Sequence, residues 1–195
     1  MQEHPGTILA AVLAGRARDA GRWRDGRGTS GTGILEPDMS NPPMFVLRSG
    51  LVKLYYPVAN GDEWTKSYIV DSGVFGPASA GENRLAFGAR ALEDCEFGTV
   101  DPSWVGGQIA TDPELAHAVA VFQRWLIERK RQREEDLLCL SPQERYVTFL
   151  EREPALAKRL ELREIAGFLR VTAVALSRIR RRLRSGGRAD LVGCG

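Results

Sequence analysis

The sequence predicts an α+β protein in which a β-rich region is followed by a long helix and a group of short helices. Three observations support this order. Short runs rich in β-branched and aromatic residues fill residues 34–100. An apolar pattern with helical spacing begins near Thr111, and a helix-start signal lies at Ser141. We therefore place the domains at residues 1–110, 111–140 and 141–195.

Charge is distributed unevenly along the chain. The 195 residues are 43% hydrophobic, which is enough for a substantial core. The formal net charge is only +2, but residues 1–110 hold 10 basic and 13 acidic side chains, whereas residues 111–195 hold 17 and 12. This basic C-terminal half predicts contact with a polyanion.

Cysteine usage and hydropathy indicate a cytoplasmic protein. Cys95, Cys139 and Cys194 are far apart and form no CxxC pair, so we expect reduced thiols. The N-terminal apolar run has no basic residue before it and does not resemble a signal peptide. No stretch approaches about 20 apolar residues, so no membrane span is expected.

The N-terminal segments predict a helix and then a loop. Alanine and leucine residues predict a short helix over Thr7–Asp19. The segment Gly21–Gly33 is rich in glycine and arginine and predicts a loop, in which we interpret Arg22, Arg24 and Arg27 as solvated.

Four β-rich segments follow, and turn residues separate them. The segments are Met44–Gly50, Leu51–Val58, Trp64–Val70 and Ala89–Val100. The turns are Ser40–Pro43, Ser49–Gly50, Asn60–Asp62 and Asp71–Gly73. Asn60-Gly61 predicts a hairpin because both residues tolerate positive φ. Many short strands at this spacing predict a sandwich or a small barrel.

Thr111-Asp112-Pro113-Glu114 predicts the start of a long helix, with a cap, a proline in the first turn and an acid near the positive helix end. Spacings of four and three separate its apolar positions, as in paired helices. These positions are Leu115, Val119, Phe122, Leu126, Leu137 and Leu140. Packing of the helix on its own barrel is the alternative. Because Val121, Trp125 and Ile127 make the helix apolar on further sides, we favour a homodimer helix that also contacts the barrel.

Ser141-Pro142-Gln143-Glu144 predicts the start of the helical domain. It is a capping box with proline at the first helical position. We expect Tyr146, Val147 and Leu150 to face the core of this domain, and Pro154 to end the helix. Leu156 and Leu160 then lead into the next helices.

The segment Glu161–Arg184 predicts two short helices joined by a tight turn. The apolar face of the first helix consists of Leu162, Ile165, Ala166 and Leu169. Thr172 is a good N-cap for the second helix, because its hydroxyl can accept a hydrogen bond from a free N–H. The inward face of the second helix consists of Leu176, Ile179 and Leu183.

Small residues and arginines share the outward face of the second helix. They are Ala173, Val174, Ser177, Arg178 and Arg181. Small residues allow close approach to a DNA major groove, and a guanidinium can pair with guanine O6 and N7. From residue 170 onward, Asp190 is the one acid among seven arginines, namely Arg170, Arg178, Arg180, Arg181, Arg182, Arg184 and Arg188. A solvated stripe would normally interleave signs, so this run favours DNA contact over a surface hairpin.

These blocks resemble the Crp/Fnr family of transcription regulators. They are VLRSGLVKLYY with WTKSYIV, then ALEDCEF, then SPQERYVTFLEREPALAKRL with EIAGFLRVTAVALSRIRRRL. The resemblance implies a cyclic-nucleotide-binding-like, jelly-roll-like barrel of the double-stranded β-helix type, a dimerisation helix and a winged helix-turn-helix. It implies binding to double-stranded DNA as a homodimer, and it leaves RNA polymerase open as a further partner.

The effector region departs from the family pattern. Members that bind cyclic nucleotide carry Phe-Gly-Glu followed by an arginine that holds the phosphate. This chain has Phe75-Gly76-Pro77, and Pro77 lacks both the carboxylate and the N–H. Arg84 is the nearest phosphate arginine but lies one residue out of register. We therefore expect Phe75, Gly76 and Arg84 to mark a degenerate effector site that does not bind cyclic nucleotide.

No other cofactor is expected from the sequence. An iron–sulfur cluster usually needs four thiolates, and this chain has three separated cysteines. The two histidines, His4 and His117, give no support for haem. The effector therefore stays unknown.

The DNA-reading helix departs from the pattern as well. Many relatives carry Arg-Glu or Pro-Glu after the cap, with the Glu accepting from cytosine N4. Here Ala173 and Val174 can make only apolar contacts, for example to a thymine methyl. Arg178 matches the family's guanine-reading arginine, with Ser177 and Arg181 beside it. Phosphate contacts are expected from Thr172, Arg180, Arg182 and Arg184, and also from Arg170, which replaces a usual turn glycine.

Three hypotheses follow from these residues. The leading one is a cytoplasmic DNA-binding transcription regulator. The alternative is a ligand-sensing or interaction module with weak or vestigial DNA binding, which Ala173 and Val174 keep open. An enzyme is not expected, because the sequence holds no nucleophile elbow, P-loop or metal-ligand cluster. The sequence leaves open the operator, the target genes and the choice between activation and repression.

Overall fold

The structure, a computed structural model, describes residues 4–59, 61–77, 82 and 84–185. The chain forms two compact units, Met1–Lys130 and Arg131–Gly195. The first unit holds the strands and the second holds the short helices, so the predicted α+β class is confirmed.

Within the described residues the chain has seven helices and eight strands. The strands form a β-domain and are β1 Arg24–Gly28, β2 Gly33–Leu35, β3 Met44–Ser49, β4 Leu51–Pro57, β5 Glu63–Val70, β6 Val74–Phe75, β7 Gly88–Ala91 and β8 Cys95–Val100. The helices are α1 Pro5–Asp19, α2 Pro102–Thr111, α3 Pro113–Cys139, α4 Pro142–Arg152, α5 Pro154–Arg159, α6 Leu162–Leu169 and α7 Ala173–Ser185. Among these helices, none combines the length and apolar character that spanning a bilayer requires.

The strands form two four-stranded antiparallel sheets. Their orders are β1-β8-β3-β6 and β2-β7-β4-β5. The predicted hairpin joins β4 to β5, where Gly61 has φ +82° and its N–H donates to Val58 O at 2.9 Å. Asn60, the other residue of the predicted turn, lies outside the described residues. By contrast, β3 and β4 belong to different sheets, so the predicted turn at Gly50 is a crossover between the sheets.

Side chains from both sheets form one hydrophobic core. Leu47 and Phe97 come from the first sheet, and Val52 and Leu54 come from the second. All four are buried. Each such side chain contributes about 1.5–3 kcal/mol through removal of its surface from water.

The segment predicted as a loop over Gly21–Gly33 contains β1 and the start of β2, so that prediction was wrong. β1 pairs along its whole length with β8, from Arg24 opposite Thr99 to Gly28 opposite Cys95. Its glycines serve close packing, because a Cβ on Gly26 would overlap the Phe97 ring. Pairing through the backbone to a strand about 70 residues away overrides the local preference of this segment.

The segment Ala89–Val100 was predicted as one β-rich piece, and the structure divides it between two strands. β7 belongs to the second sheet and β8 to the first. Cys95, at the start of β8, is buried and its Sγ donates to Glu93 O at 3.1 Å. The bend between β7 and β8 therefore carries the chain from one sheet to the other.

A second hydrophobic cluster joins three helices to the first sheet. Leu13 of α1, Val46 of β3, Val105 of α2 and Leu115 of α3 are all buried in it. α2 was not predicted from the sequence, although Asp101 caps it by accepting a hydrogen bond from Ser103 N at 2.7 Å. Two adjacent glycines within α2 weaken its helical signal.

The predicted apolar seam of α3 lies partly inside its own unit. Leu115 is fully buried, and Val119 and Phe122 pack against the second cluster. These residues therefore pack against the β-domain and its flanking helices. The large apolar side chains of α3 that stay exposed are Ile127, at 69%, and Leu138, at 78%.

The start of α3 is held by Asp112, as the predicted helix-start signal requires. Its Oδ1 accepts from the backbone N–H groups of Glu114 and Leu115 at 3.0 and 3.1 Å. Arg16 of α1 donates to Asp112 Oδ2 at 2.6 Å. This hydrogen bond is the largest cause of the lowered pKa of Asp112.

The predicted capping box opens the second unit. Ser141 Oγ accepts from Glu144 N at 3.4 Å, and Glu144 Oε2 accepts from Ser141 N at 2.8 Å. Tyr146 is buried as predicted, but Leu150 is 37% exposed and Phe149 takes the core position. The buried stripe of α4 therefore runs through Tyr146 and Phe149, with Val147 half-buried beside it.

Pro154 was expected only to end α4, and it also begins α5. α4 ends at Arg152, and the proline occupies the first position of the next helix. Proline suits that position because its missing N–H would have no partner there. Leu156 and Leu160 are buried, in keeping with their predicted place before the helix-turn-helix.

Candidate nucleic-acid interface

α6 and α7 are joined by a turn with a left-handed residue at its centre. α6 buries Ile165, Ala166 and Leu169 and ends at Leu169, and its C-cap residue Arg170 has φ +59° and ψ 44°. The N–H of Val171 donates to Ala166 O at 3.0 Å and closes the helix. Glycine normally occupies such a position, so an arginine here holds an unfavourable backbone conformation.

Thr172 caps α7, as the sequence predicts. Its Oγ1 accepts from the backbone N–H of Ala175 at 3.1 Å. The hydroxyl proton of Thr172 is not used in this hydrogen bond, and the side chain is exposed. The cap therefore leaves a donor for an anion at the start of α7.

The two faces of α7 differ in burial as the sequence predicts. Leu176 and Ile179 are buried against the C-terminal unit, and Leu183 is half-buried. The opposite face is exposed along its length and consists of Ala173, Val174, Ser177, Arg178 and Arg181. The structure thus brings the predicted base-reading residues together on one surface.

The positive charge of α7 is concentrated in its second half. Arg182 and Arg184 are exposed in the last turn, and Arg180 is half-buried. No acidic residue occurs within α7, so the helix does not neutralise its own arginines. Three arginines and two serines of α7 line an open concavity. They are Arg180, Arg181, Arg184, Ser177 and Ser185. This surface can attract a polyanion.

The predicted DNA-binding region extends past the last described residue, Ser185. Arg188 and Asp190 lie outside the described residues, and so does any wing that follows α7. Cys194 lies there too.

The described residues of the predicted effector site have different surroundings. Phe75 is 5% exposed and stacks on Phe45, with ring centroids 4.8 Å apart. Gly76 has φ +135°, and a Cβ there would stand 2.9 Å from Pro43 O. Arg84 is exposed and its Nε donates to Asp38 O at 3.3 Å. Residues 78–81 and 83 of this segment lie outside the described residues.

Lys66 is a charged residue of the β-domain that the sequence analysis did not single out. It lies on β5, and its Nζ is 3.6 Å from the centroid of the Phe87 ring. Its pKa is lowered to about 8, chiefly by burial and also by the nearby charge of Lys130, while Glu82 opposes the shift. The pairing of β4 with β5 shifts register beside Lys66, because Leu54 pairs with Ser67 and the next residue, Tyr55, pairs with Thr65. Nothing in the local sequence marks this irregularity.

The described residues offer no ready metal site. Within them, no three His, Cys, Asp or Glu side chains come together as possible ligands. Cys95 is buried and Cys139 is exposed. His4 caps α1 through Nδ1, which accepts from Gly6 N at 3.1 Å, and its ring contacts Trp125.

Comparison with solved structures finds the same fold in other proteins. FixK2 from Bradyrhizobium japonicum is 18% identical, with a TM-score of 0.75 over 88% of this chain and 89% of that one. The c-di-GMP-responsive global regulator CLP of Xanthomonas campestris is 15% identical, with a TM-score of 0.73 over 93% and 96%. A CRP/FNR-family transcriptional regulator of Thermus thermophilus is 17% identical, with a TM-score of 0.67 over 84% and 87%.

The chain has the Crp/Fnr fold. The resemblance drawn from the sequence is thereby confirmed at the level of the fold. No family model matches the sequence, and no curated protein matches it either. In this chain, α7 presents an alanine and a valine in its exposed first turn.

Proposed function

We propose that this protein is a DNA-binding transcription regulator of the Crp/Fnr type and that it acts as a homodimer in the cytoplasm. The observation that carries the proposal is the exposed face of α7, where arginines follow small residues on a helix fixed by Thr172. The Crp/Fnr fold supports it. The predicted domains, with an effector domain at 1–110, a dimerisation helix at 111–140 and a DNA-binding domain at 141–195, are part of the proposal.

The residues of α7 take different roles in this proposal. Arg178 reads a guanine through O6 and N7, with Ser177 and Arg181 close to the neighbouring bases. Thr172 donates its hydroxyl proton to a phosphate while its oxygen caps the helix. Phosphates are also held by four arginines, namely Arg170, Arg180, Arg182 and Arg184. Contacts of this second kind fix the position of the helix on the duplex without selecting a sequence.

The homodimer is supported by exposed apolar side chains on α3. Ile127 is 69% exposed in the part of α3 that belongs to the first unit, and Leu138 is 78% exposed in the part that belongs to the second. Pairing of two α3 helices removes these side chains from water. It also sets two α7 helices for successive major grooves about 34 Å apart on a pseudo-palindrome.

The β-domain is proposed to have lost cyclic-nucleotide binding. Pro77 supplies neither the carboxylate nor the N–H of the family pattern, and Phe75 belongs to the hydrophobic core. CLP, which has the same fold, is responsive to c-di-GMP. We infer no cofactor for this chain and leave its effector open, with RNA polymerase as a further partner.

Binding-site selection followed by fluorescence anisotropy tests the proposal. The purified dimer selects a motif from random duplexes, and affinity is then measured across salt for the wild type, R178A and R182A. R178A should lose about 10–100-fold in affinity and relax its preference at one base pair per half-site. R182A should weaken all sequences alike and reduce the salt slope by about one.

Arg163→Ala is the matched control for these variants. Arg163 is an exposed arginine of α6 whose Nε pairs with Glu161 at 2.9 Å, so its loss should leave affinity and motif unchanged. A uniform loss with an unchanged motif for R178A would contradict base reading. If no duplex were preferred over heparin, the ligand-sensing module with vestigial DNA binding would be the better account.

A further inference from the structure

We infer that Val174 reads the C5 methyl group of a thymine, so that each operator half-site combines a thymine with the guanine read by Arg178. The inference rests on the proposed function and specifies the sequence that α7 selects. It assigns a specificity-determining role to an apolar side chain in the first turn of the helix.

The exposure of Val174 is the first step. Its side chain is 62% exposed, on a helix whose inward face already buries Leu176 and Ile179. Val174 therefore does not serve the core of its own domain. Its neighbour Ala173 is exposed as well, so the first turn of α7 presents an apolar surface with no polar side chain before Ser177.

The position of Val174 relative to Arg178 is the second step. Residues four apart lie on the same face of a helix, about 6 Å apart along its axis. Successive base pairs are about 3.4 Å apart along the duplex. When Arg178 contacts one base edge, Val174 thus faces a base pair about one or two steps away.

The chemistry of the major groove then selects the base. Thymine is the one standard base that presents a methyl group there, next to the O4 acceptor. Valine can neither donate nor accept a hydrogen bond. If cytosine or adenine replaced the thymine, its N4 or N6 amino group would lose hydrogen bonds to water and gain none from Val174. A thymine methyl gains contact area instead.

Uracil substitution tests the inference directly. Replacing a thymine by deoxyuridine removes the methyl and leaves the hydrogen-bonding edge intact. Starting from the selected operator, each thymine is replaced in turn in both half-sites, and affinity is measured by anisotropy. With the wild-type protein, the affinity should fall about fourfold per half-site when one particular thymine is replaced, which is the value expected for burial of one methyl group.

Variants at residue 174 assign the effect to this side chain. V174A should bind the thymine and deoxyuridine operators equally at that position. V174T, which keeps one branch methyl, should keep part of the discrimination. V174E should transfer the preference to cytosine, whose N4 donates to the new carboxylate. Circular dichroism confirms that each variant is folded.

The outcomes separate this inference from the function on which it rests. A fourfold loss that disappears in V174A supports the inference. If the wild type tolerates deoxyuridine everywhere but still prefers guanine through Arg178, the inference is overturned and the proposed function stands. If no duplex is preferred, both fail.

Discussion

A Cβ atom placed on Gly50 would stand 2.6 Å from Sγ of the buried Cys95 and 2.6 Å from Asp94 O. Gly50 also has φ +104°, a conformation that L side chains rarely adopt. The crossover between the two sheets thus passes directly over the start of β8. Space and backbone conformation both require glycine at this point.

Gly50→Ala should destabilise the protein by about 3 kcal/mol, because it adds overpacking to an unfavourable φ. Urea denaturation monitored by circular dichroism measures the change. Gly61→Ala is the matched control, since Gly61 has φ +82° with no atom within 4 Å of its Cβ position. That variant should cost only about 1 kcal/mol. Equal costs for the two variants would contradict a role for the contact with Cys95.

Two substitutions of Arg170 separate the free-energy cost of its positive φ from the contribution of its side chain. Its φ of +59° is unfavourable for any residue with a Cβ. Arg170→Gly should therefore be more stable than Arg170→Ala by about 1 kcal/mol, as both lack the arginine side chain and only glycine relieves the backbone. Both variants should show the same reduced salt slope in DNA binding if Arg170 contacts a phosphate. Equal stability of the two variants would show that the turn has changed its conformation.

Lys66 makes stability depend on pH at the alkaline end. Burial is the main cause that lowers its pKa from 10.5 to about 8 in the folded protein. Below pH 8 both states hold the proton, and folding bears the full cost of burying the charge. Between about pH 8 and pH 10.5 the unfolded state binds more protons, so the free energy of unfolding rises with pH.

Lys66→Met should remove this dependence. The variant should be more stable than the wild type at pH 7, by on the order of 1–2 kcal/mol once solvent screening is allowed for, and the difference should shrink towards pH 10.5. Urea denaturation of both proteins at a series of pH values measures it, and the difference between the proteins cancels other titrating groups. A difference that is constant with pH would place the Lys66 charge in solvent.

Ile127 provides the test of the homodimer. Ile127→Glu places a charge at the proposed pairing of two α3 helices and should shift the protein from dimer to monomer in analytical ultracentrifugation. Met39→Glu is the control, because Met39 is an exposed apolar residue outside α3, at 43%. It should leave the mass unchanged. A wild-type protein that is already monomeric at micromolar concentration would contradict the proposal.

The sequence was sufficient to predict the features that depend on hydrogen bonds between residues close together in the chain. The capping box at Ser141 and the cap at Thr172 occur as predicted, because each joins groups only three residues apart. The helix predicted at Thr7–Asp19 begins two residues earlier, at Pro5. The exposed face of α7 followed from helical periodicity alone.

Features that depend on distant contacts could not be predicted from the sequence. β1 has the composition of a loop and becomes a strand because β8 offers it a complete set of backbone partners. Lys66 is half-buried, beside the irregular pairing of β4 and β5 and against the ring of Phe87, which come from other parts of the chain. The choice of Phe149 over Leu150 for the core depends on the packing of α4, where Phe149 contacts the ring of Phe168.

The arginine and aspartate side chains of β1 have a consequence for how molecules of this protein meet. β1 is the last strand of its sheet, and its sequence is Arg-Asp-Gly-Arg-Gly. Asp25 pairs with Arg48 at 3.2 Å, and Arg27 pairs with Glu96 at 3.4 Å. If a strand from another molecule paired with this edge of the sheet, these charged side chains would be desolvated. The charged side chains thus disfavour fibril formation through this edge strand, whose free backbone groups could otherwise pair with further strands.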